Sequence, residues 1–176
     1  MPLVNVENAM LVVIDLQARL MPAIHDGERV VLNAGRLVEA ARLLAVPTIL
    51  TEQNPGGLGA TSPEIAGAGR AIAKMSFDAC GEPAFLEAVA EAGELVICGC
   101  EAHVCVGQTV LSLRAQGRRV VVAADAIGSR APGSREIALR RMAEHGAEIV
   151  TTEMILFEWL RSAEHPQFRP VSKLIR

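Results

Sequence analysis

Leu95-Val96-Ile97-Cys98-Gly99-Cys100-Glu101-Ala102-His103-Val104-Cys105-Val106 is the stretch on which the reading of the fold turns. Its first four residues form an apolar run of strand length. Its end opens a helical pattern, with Val106, Thr109, Val110 and Leu113 on one face and Gly117 as the stop. Cys105 is then expected to start a helix just beyond the carboxyl end of a strand. Unpaired backbone N–H groups and positive helix potential gather at such a position. Both lower a thiol pKa, which makes Cys105 a candidate nucleophile. The alternative at this point is a small buried cysteine that fills the turn.

The same alternation extends in both directions. Residues 10–14 read as a buried strand ending at Asp15, and Val30, Ala34, Leu37, Val38, Ala41 and Leu44 repeat at helical spacing. Pro47 opens a strand over 48–51, followed by a polar, glycine-rich loop over 53–62 in which Gly56-Gly57-Leu58-Gly59 reads as a flexible rim. Residues 71–73 form a short strand ending at Lys74, and 82–92 a helix stopped by Gly93. Beyond the quoted stretch come a helix over 105–116, a strand over 120–124 ending at Asp125, a helix over 136–145, a strand over 147–151 and a helix over 154–160. The tail from His165, with Pro166 and Pro170, is expected to wrap the surface. Strands alternating with helices imply β-α-β units, hence one doubly wound, mostly parallel sheet flanked by helices. A single domain over residues 1–176 follows, with no repeat, low-complexity tract or linker. Such sheets place their sites at the carboxyl ends of strands, near the switch point, and Asp15, Lys74, Cys105 and Asp125 all fall there.

Composition narrows the partners. The 176 residues are 51% hydrophobic and only 3% aromatic, with no Tyr, which leaves little to stack on nucleic-acid bases. A net charge of -3 without a long basic run does not favour a polyanion. A small molecule is the expected partner, with no nucleic acid and no membrane. No apolar run reaches the roughly 18 residues of a membrane span, and residues 1–7 lack the pattern of a signal peptide. Three of the four cysteines crowd into residues 98–105, unlike a disulfide framework. A cytosolic location is the expectation.

Val12-Val13-Ile14-Asp15-Leu16-Gln17, then Lys74, then the turn from Gly99 to Val106 together resemble the isochorismatase-like cysteine hydrolase superfamily. The resemblance covers almost the whole chain. Further stretches are similar to a subgroup of hydrolases whose substrates are poorly defined: Thr51-Glu52-Gln53-Asn54-Pro55-Gly56-Gly57-Leu58-Gly59, Glu101-Ala102-His103-Val104-Cys105-Val106-Gly107-Gln108-Thr109, Asp125-Ala126-Ile127-Gly128-Ser129-Arg130 and Thr151-Thr152-Glu153. It implies a catalytic triad of Cys105, Asp15 and Lys74. Asp15 would take the thiol proton and return it to a leaving amine. Lys74 would favour the thiolate and hold the carboxylate. Cys105 would attack an amide-type carbonyl to form a thioester. The resemblance also implies a cis peptide at Cys100–Glu101 and an oxyanion hole from the backbone N–H groups of Glu101 and Cys105. No cofactor is implied, and a homo-oligomer is. Nicotinamidases of the superfamily hold a metal with Asp-x-His-x-x-His after the second strand. Here that loop, Glu52-Gln53-Asn54-Pro55-Gly56-Gly57, has no histidine, which argues against that activity and against a metal.

Structural readings stand beside these. Asp15 taken alone suits a cap, and Lys74 taken alone suits a surface position, although its run Ile72-Ala73-Lys74-Met75-Ser76-Phe77 is otherwise nearly apolar. Asp125 reads as a structural hydrogen-bonding residue. His103 reads as a contact to substrate or a neighbouring subunit rather than a partner of Cys105. Cys98, Cys100, His103 and Cys105 lack the C-x₂-C spacing of structural zinc. Phe157 and Trp159 read as core or subunit-interface residues. Two further functional readings stay open: isochorismatase-type vinyl ether cleavage without a thiol nucleophile, and a non-catalytic binding or scaffold role on the same fold.

Overall fold

The computed structural model describes residues 3–176. Of the N-terminal stretch read for a signal peptide, residues 1 and 2 lie outside the described residues. Six strands form one sheet: β1 (Ala9–Ile14), β2 (Thr48–Gln53), β3 (Arg70–Lys74), β4 (Glu94–Cys100), β5 (Arg119–Gly128) and β6 (Glu148–Val150). Their order is β3-β2-β1-β4-β5-β6, and every pairing is parallel. The chain winds outward from β1 to β3, then returns to lay β4 against the other side of β1. The switch point therefore falls between β1 and β4, where a doubly wound sheet opens a crevice.

Alternation along the strands divides the side chains between two layers. Leu11 and Val13 of β1, Val96 and Cys98 of β4, and Val121 and Ala123 of β5 face one cluster. Helix α1 (Gly27–Leu43) covers it with Val30, Ala34 and Leu37, and α6 (Thr152–Leu160) with Ile155, Leu156 and Trp159. Val12, Ile14, Leu95, Ile97, Val120 and Val122 face the other cluster. There Phe85 and Val89 of α3 (Pro83–Val89), Val110 and Leu113 of α4 (Gly107–Ala115), and Ala138 and Met142 of α5 (Pro132–Glu144) close over the sheet. Each large apolar side chain fully withdrawn from water contributes about 1.5–3 kcal/mol.

Several elements depart from the sequence reading. Strand β5 does not stop at Asp125 but runs to Gly128, because its pairing with β4 jumps from Ile97–Val122 to Gly99–Ile127. Residues 123–126 form a bulge whose carbonyls need outside donors. Asn33 supplies one to Asp125 O at 2.9 Å, and Arg135 donates to the carbonyls of Ala124 and Ile127. The helix at 82–92 is shorter, Pro83–Val89, and the tail contains α7 (Phe168–Lys173). The 53–62 segment contains the short helix α2 (Pro55–Leu58). It is not a flexible rim but a pinned one. Gln17, fully buried, donates to Gln53 O and Gly59 O and accepts from Gln53 N. Glu52 accepts from both N and Oγ1 of Thr61 at 2.7 Å. Trp159 lies in the core, whereas Phe157 is 43% exposed.

Gly99 lets β1 and β4 meet at the switch point. Its φ is +126°, and a Cβ there would sit 2.0 Å from the Ile14 carbonyl oxygen. Both the conformation and the contact exclude a side chain. Gly99→Ala is expected to lower stability by about 3 kcal/mol or more, read as a lower urea midpoint.

Candidate functional site

Strand β1 ends at Ile14, paired on one side with Thr51 and on the other with Gly99. Asp15 follows at φ +49°, a left-handed conformation that Asp tolerates better than most residues. Its N–H donates to Thr51 O at 3.1 Å, which holds the turn against β2. The carboxylate is fully buried and caps no helix. Instead, Oδ1 accepts from Thr51 Oγ1 at 2.6 Å and Oδ2 accepts from Lys74 Nζ at 2.7 Å. Lys74 closes edge strand β3, and its side chain crosses above β2 to reach Asp15. The other two ammonium protons go to Ser76 O at 3.1 Å and Phe77 O at 3.2 Å. All three donors of a buried ammonium are thus engaged.

Cys105 completes the cluster from β4. The helix expected to start there is preceded by a π-helical turn, Ala102–Val106, so Cys105 sits inside that turn rather than at a helix start. Val104 N and Val106 N both donate to Glu101 O, at 3.0 and 3.2 Å, with the N–H of Cys105 between them in sequence. The Cys100–Glu101 peptide is cis. The Cys105 thiol faces both the Asp15 carboxylate and the Lys74 ammonium. Its pKa is not lowered, as a helix N-terminus implied. Burial first, and then the negative Asp15, push it up to about 12, with Lys74 opposing. The resting thiol is therefore protonated. Cys80 and Cys98 are pushed up to about 12 and Cys100 is also raised, in each case chiefly by burial. Cys80 also has a carboxylate, Asp78, and a cation, Arg118, acting on it; at Cys105 the carboxylate and the cation are bonded to each other as the buried Asp15–Lys74 pair.

The remaining sequence candidates lie around this cluster. His103 Nδ1 pairs with Ser129 Oγ at 3.1 Å, and the Glu101 carboxylate accepts from Arg130 N at 2.8 Å and Arg130 Nε at 3.2 Å. Asp125 is structural: its Oδ1 accepts from N and Oγ1 of Thr152 at the start of α6. Among the described residues, no group of three or more His, Cys, Asp or Glu side chains is placed to hold a metal. Two contributors were missed. Thr51 orients Asp15, and its sequence signal was its place at the head of the stretch Thr51-Glu52-Gln53 that resembles the hydrolase subgroup. Gln17 anchors the 53–62 segment, and its signal was the Asp-Leu-Gln motif itself. A groove of about 960 Å³ lies elsewhere, between α1, the 62–64 segment and the C-terminal residues, and its lining includes none of Asp15, Lys74 and Cys105.

Because the Asp15–Lys74 pair is buried, loss of one partner leaves an uncompensated charge. Lys74→Met is expected to cost about 3–5 kcal/mol in urea unfolding. The double variant Asp15→Asn, Lys74→Met is expected to be more stable than Lys74→Met alone, since no lone carboxylate remains.

With this geometry in place, relatives become informative. Residues 9–154 match the model of the isochorismatase domain. The isochorismatase domain-containing protein 2 of Danio rerio is 36% identical over 174 residues, covering 97% of this chain and 88% of its own. Among solved structures, one described as the MAR1 ribonuclease of Caenorhabditis elegans superposes with a TM-score of 0.93 at 35% identity, over 98% of this chain and 91% of that one. YcaC of Pseudomonas aeruginosa, solved with hexane-2,5-diol and covalent acrylamide, gives 0.88 at 26% identity, over 99% and 96%. The ycaC gene product of Escherichia coli, described as an octameric hydrolase of unknown specificity, gives 0.89 at 25% identity, over 98% and 96%. A family model spanning most of the chain, together with relatives above 30% identity along nearly its full length, places this protein in the isochorismatase family.

Proposed function

We propose that this protein hydrolyses a small amide, or a related C–N bond, through Cys105, Asp15 and Lys74. The observation that carries the reading is the shared ammonium. Lys74 Nζ lies 2.7 Å from Asp15 Oδ2 and also faces the Cys105 thiol. Moving the thiol proton to Asp15 turns a carboxylate–ammonium pair into a thiolate–ammonium pair. The charge of the cluster is unchanged, so the buried site accommodates the transfer without a new unpaired ion. The thiolate then attacks the substrate carbonyl carbon, and the backbone N–H groups of Glu101 and Cys105 receive the oxyanion. Collapse breaks the C–N bond while Asp15 returns the proton to the departing amine, leaving a thioester on Cys105. Water, deprotonated by Asp15, attacks the thioester; the acid leaves and the thiol is restored.

Covalent acrylamide in the Pseudomonas aeruginosa relative supports a nucleophile in this family, since acrylamide is an electrophile. The hydrolase description of the Escherichia coli relative supports the reaction class, and its octamer supports a homo-oligomer here. Exposed Leu32, Met75, Phe77, Met154 and Phe157 provide apolar surface for self-association. No described helix is long and apolar enough to cross a membrane. Four unpaired cysteines suit the reducing cytosol. The ribonuclease name of the Caenorhabditis elegans relative is not carried over, because a net charge of -3 and 3% aromatic residues offer RNA little to bind.

A panel of small amides tests the reading. Cys105→Ala is expected to lose roughly 10⁴-fold or more in kcat/KM, and wild-type protein quenched during turnover is expected to carry an acyl mass on the peptide containing Cys105. Full activity in Cys105→Ala, with no acyl adduct, would instead favour vinyl ether cleavage. Because the thiol is pushed up to about 12, iodoacetamide labelling of Cys105 is expected to keep rising with pH past the ordinary thiol pKa of about 8.5. A plateau near neutrality would show a thiolate already formed at rest.

A further inference from the structure

We infer that Arg130 reads an anionic group, such as a carboxylate, on the molecule that Cys105 attacks. The inference rests on Cys105 being the nucleophile and adds a substrate class to that reading. The turn carrying Arg130 is fastened to the turn carrying Cys105 at three successive points. Gly128 pairs with Cys100 at the end of the β4–β5 ladder. Ser129 Oγ lies 3.1 Å from His103 Nδ1. Arg130 donates its backbone N–H at 2.8 Å and its Nε at 3.2 Å to the Glu101 carboxylate, and Glu101 opens the nucleophile turn.

The orientation of the guanidinium is what suits it to recognition. Glu101, only 7% exposed, holds the Nε side. Among the described residues, neither terminal nitrogen has a partner, and the side chain is 63% exposed. An arginine anchored at Nε presents its two terminal nitrogens as a fork that matches a carboxylate or phosphate. Pre-orientation by Glu101 reduces the side-chain entropy lost on binding. Neighbouring cations are otherwise engaged. Lys74 uses all three donors inside the cluster, and Arg135 is bound to the carbonyls of Ala124 and Ile127. Arg19 lies over the carbonyls of Gly56 and Gly57 on the far rim. Arg130 is therefore the exposed guanidinium with an open fork tied to the nucleophile turn.

Two alkylating reagents that differ in one charge test this without a known substrate. Iodoacetate and iodoacetamide are applied separately to wild type, Arg130→Gln and Arg130→Lys, and the rate at Cys105 is read by peptide mass. N-acetylcysteine gives the reference ratio for a free thiol. The wild-type iodoacetate-to-iodoacetamide ratio is expected to exceed that reference. It is expected to fall about tenfold in Arg130→Gln, with the iodoacetamide rate within about twofold of wild type. Arg130→Lys, which keeps the charge but not the fork, is expected to fall between. Equal ratios in all three proteins, with Cys105 reacting, would overturn the assignment of Arg130 and leave the nucleophile standing. A Cys105 inert to both reagents in every protein would remove the nucleophile and this inference with it.

Discussion

The Lys74 ammonium, buried and bonded to Asp15, Ser76 O and Phe77 O, is the interaction on which the site depends. A cation withdrawn from water has to be matched on every side, and here it is matched by one carboxylate and two carbonyls. Those acceptors come from the residue following β1 and from the segment following β3, with Thr51 of β2 bracing the carboxylate from the opposite oxygen. The ion pair thus ties together the carboxyl ends of three adjacent strands. It also fixes the electrostatic surroundings of Cys105, whose buried thiol meets one positive and one negative neighbour.

Bringing the groups together requires the sheet to close tightly at its switch point. Gly99 removes the side chain that would collide with Ile14 O, and Asp15 turns into the left-handed region immediately after it. One strand over, the β5 bulge sets aside residues 123–126 so that Gly128 still reaches Cys100. Asn33 from one helical layer and Arg135 from the other satisfy the displaced carbonyls, so both layers help position the strand end beside the nucleophile turn.

Much of this was legible from periodicity and punctuation. The alternation of apolar runs with helical spacing gave the layers and put Asp15, Lys74, Cys105 and Asp125 at strand ends, while only the family resemblance set the first three apart as a triad. What escaped has a physical reason in each case. Asp125 reads as a strand terminator because Asp is depleted in strands, yet the bulge makes room for it and Thr152 binds it. Thr51 is an ordinary strand residue until Asp15 is beside it. The direction of the Cys105 shift was misread because local sequence reveals a helix end but neither burial nor a carboxylate brought from residue 15. The glycines at 56, 57 and 59 signalled freedom, while the bonds that restrain that segment come from Gln17, about 40 residues earlier in the chain.

The anchoring of the 53–62 segment has a consequence for how such a protein diversifies. Gln17 grips it through main-chain atoms of Gln53 and Gly59, and Ala18 N and Arg19 N donate to the carbonyls of Ala60 and Leu58. Ser62 N closes the far end on Leu16 O. Contacts made to the backbone are indifferent to side-chain identity. Apart from Thr61, whose hydroxyl is held by Glu52, and Gly59, whose φ is +79°, the segment therefore behaves as an exchangeable cassette, held in a fixed frame while the residues it displays vary. New recognition surfaces can be acquired there by drift or by design without disturbing the buried charges beneath.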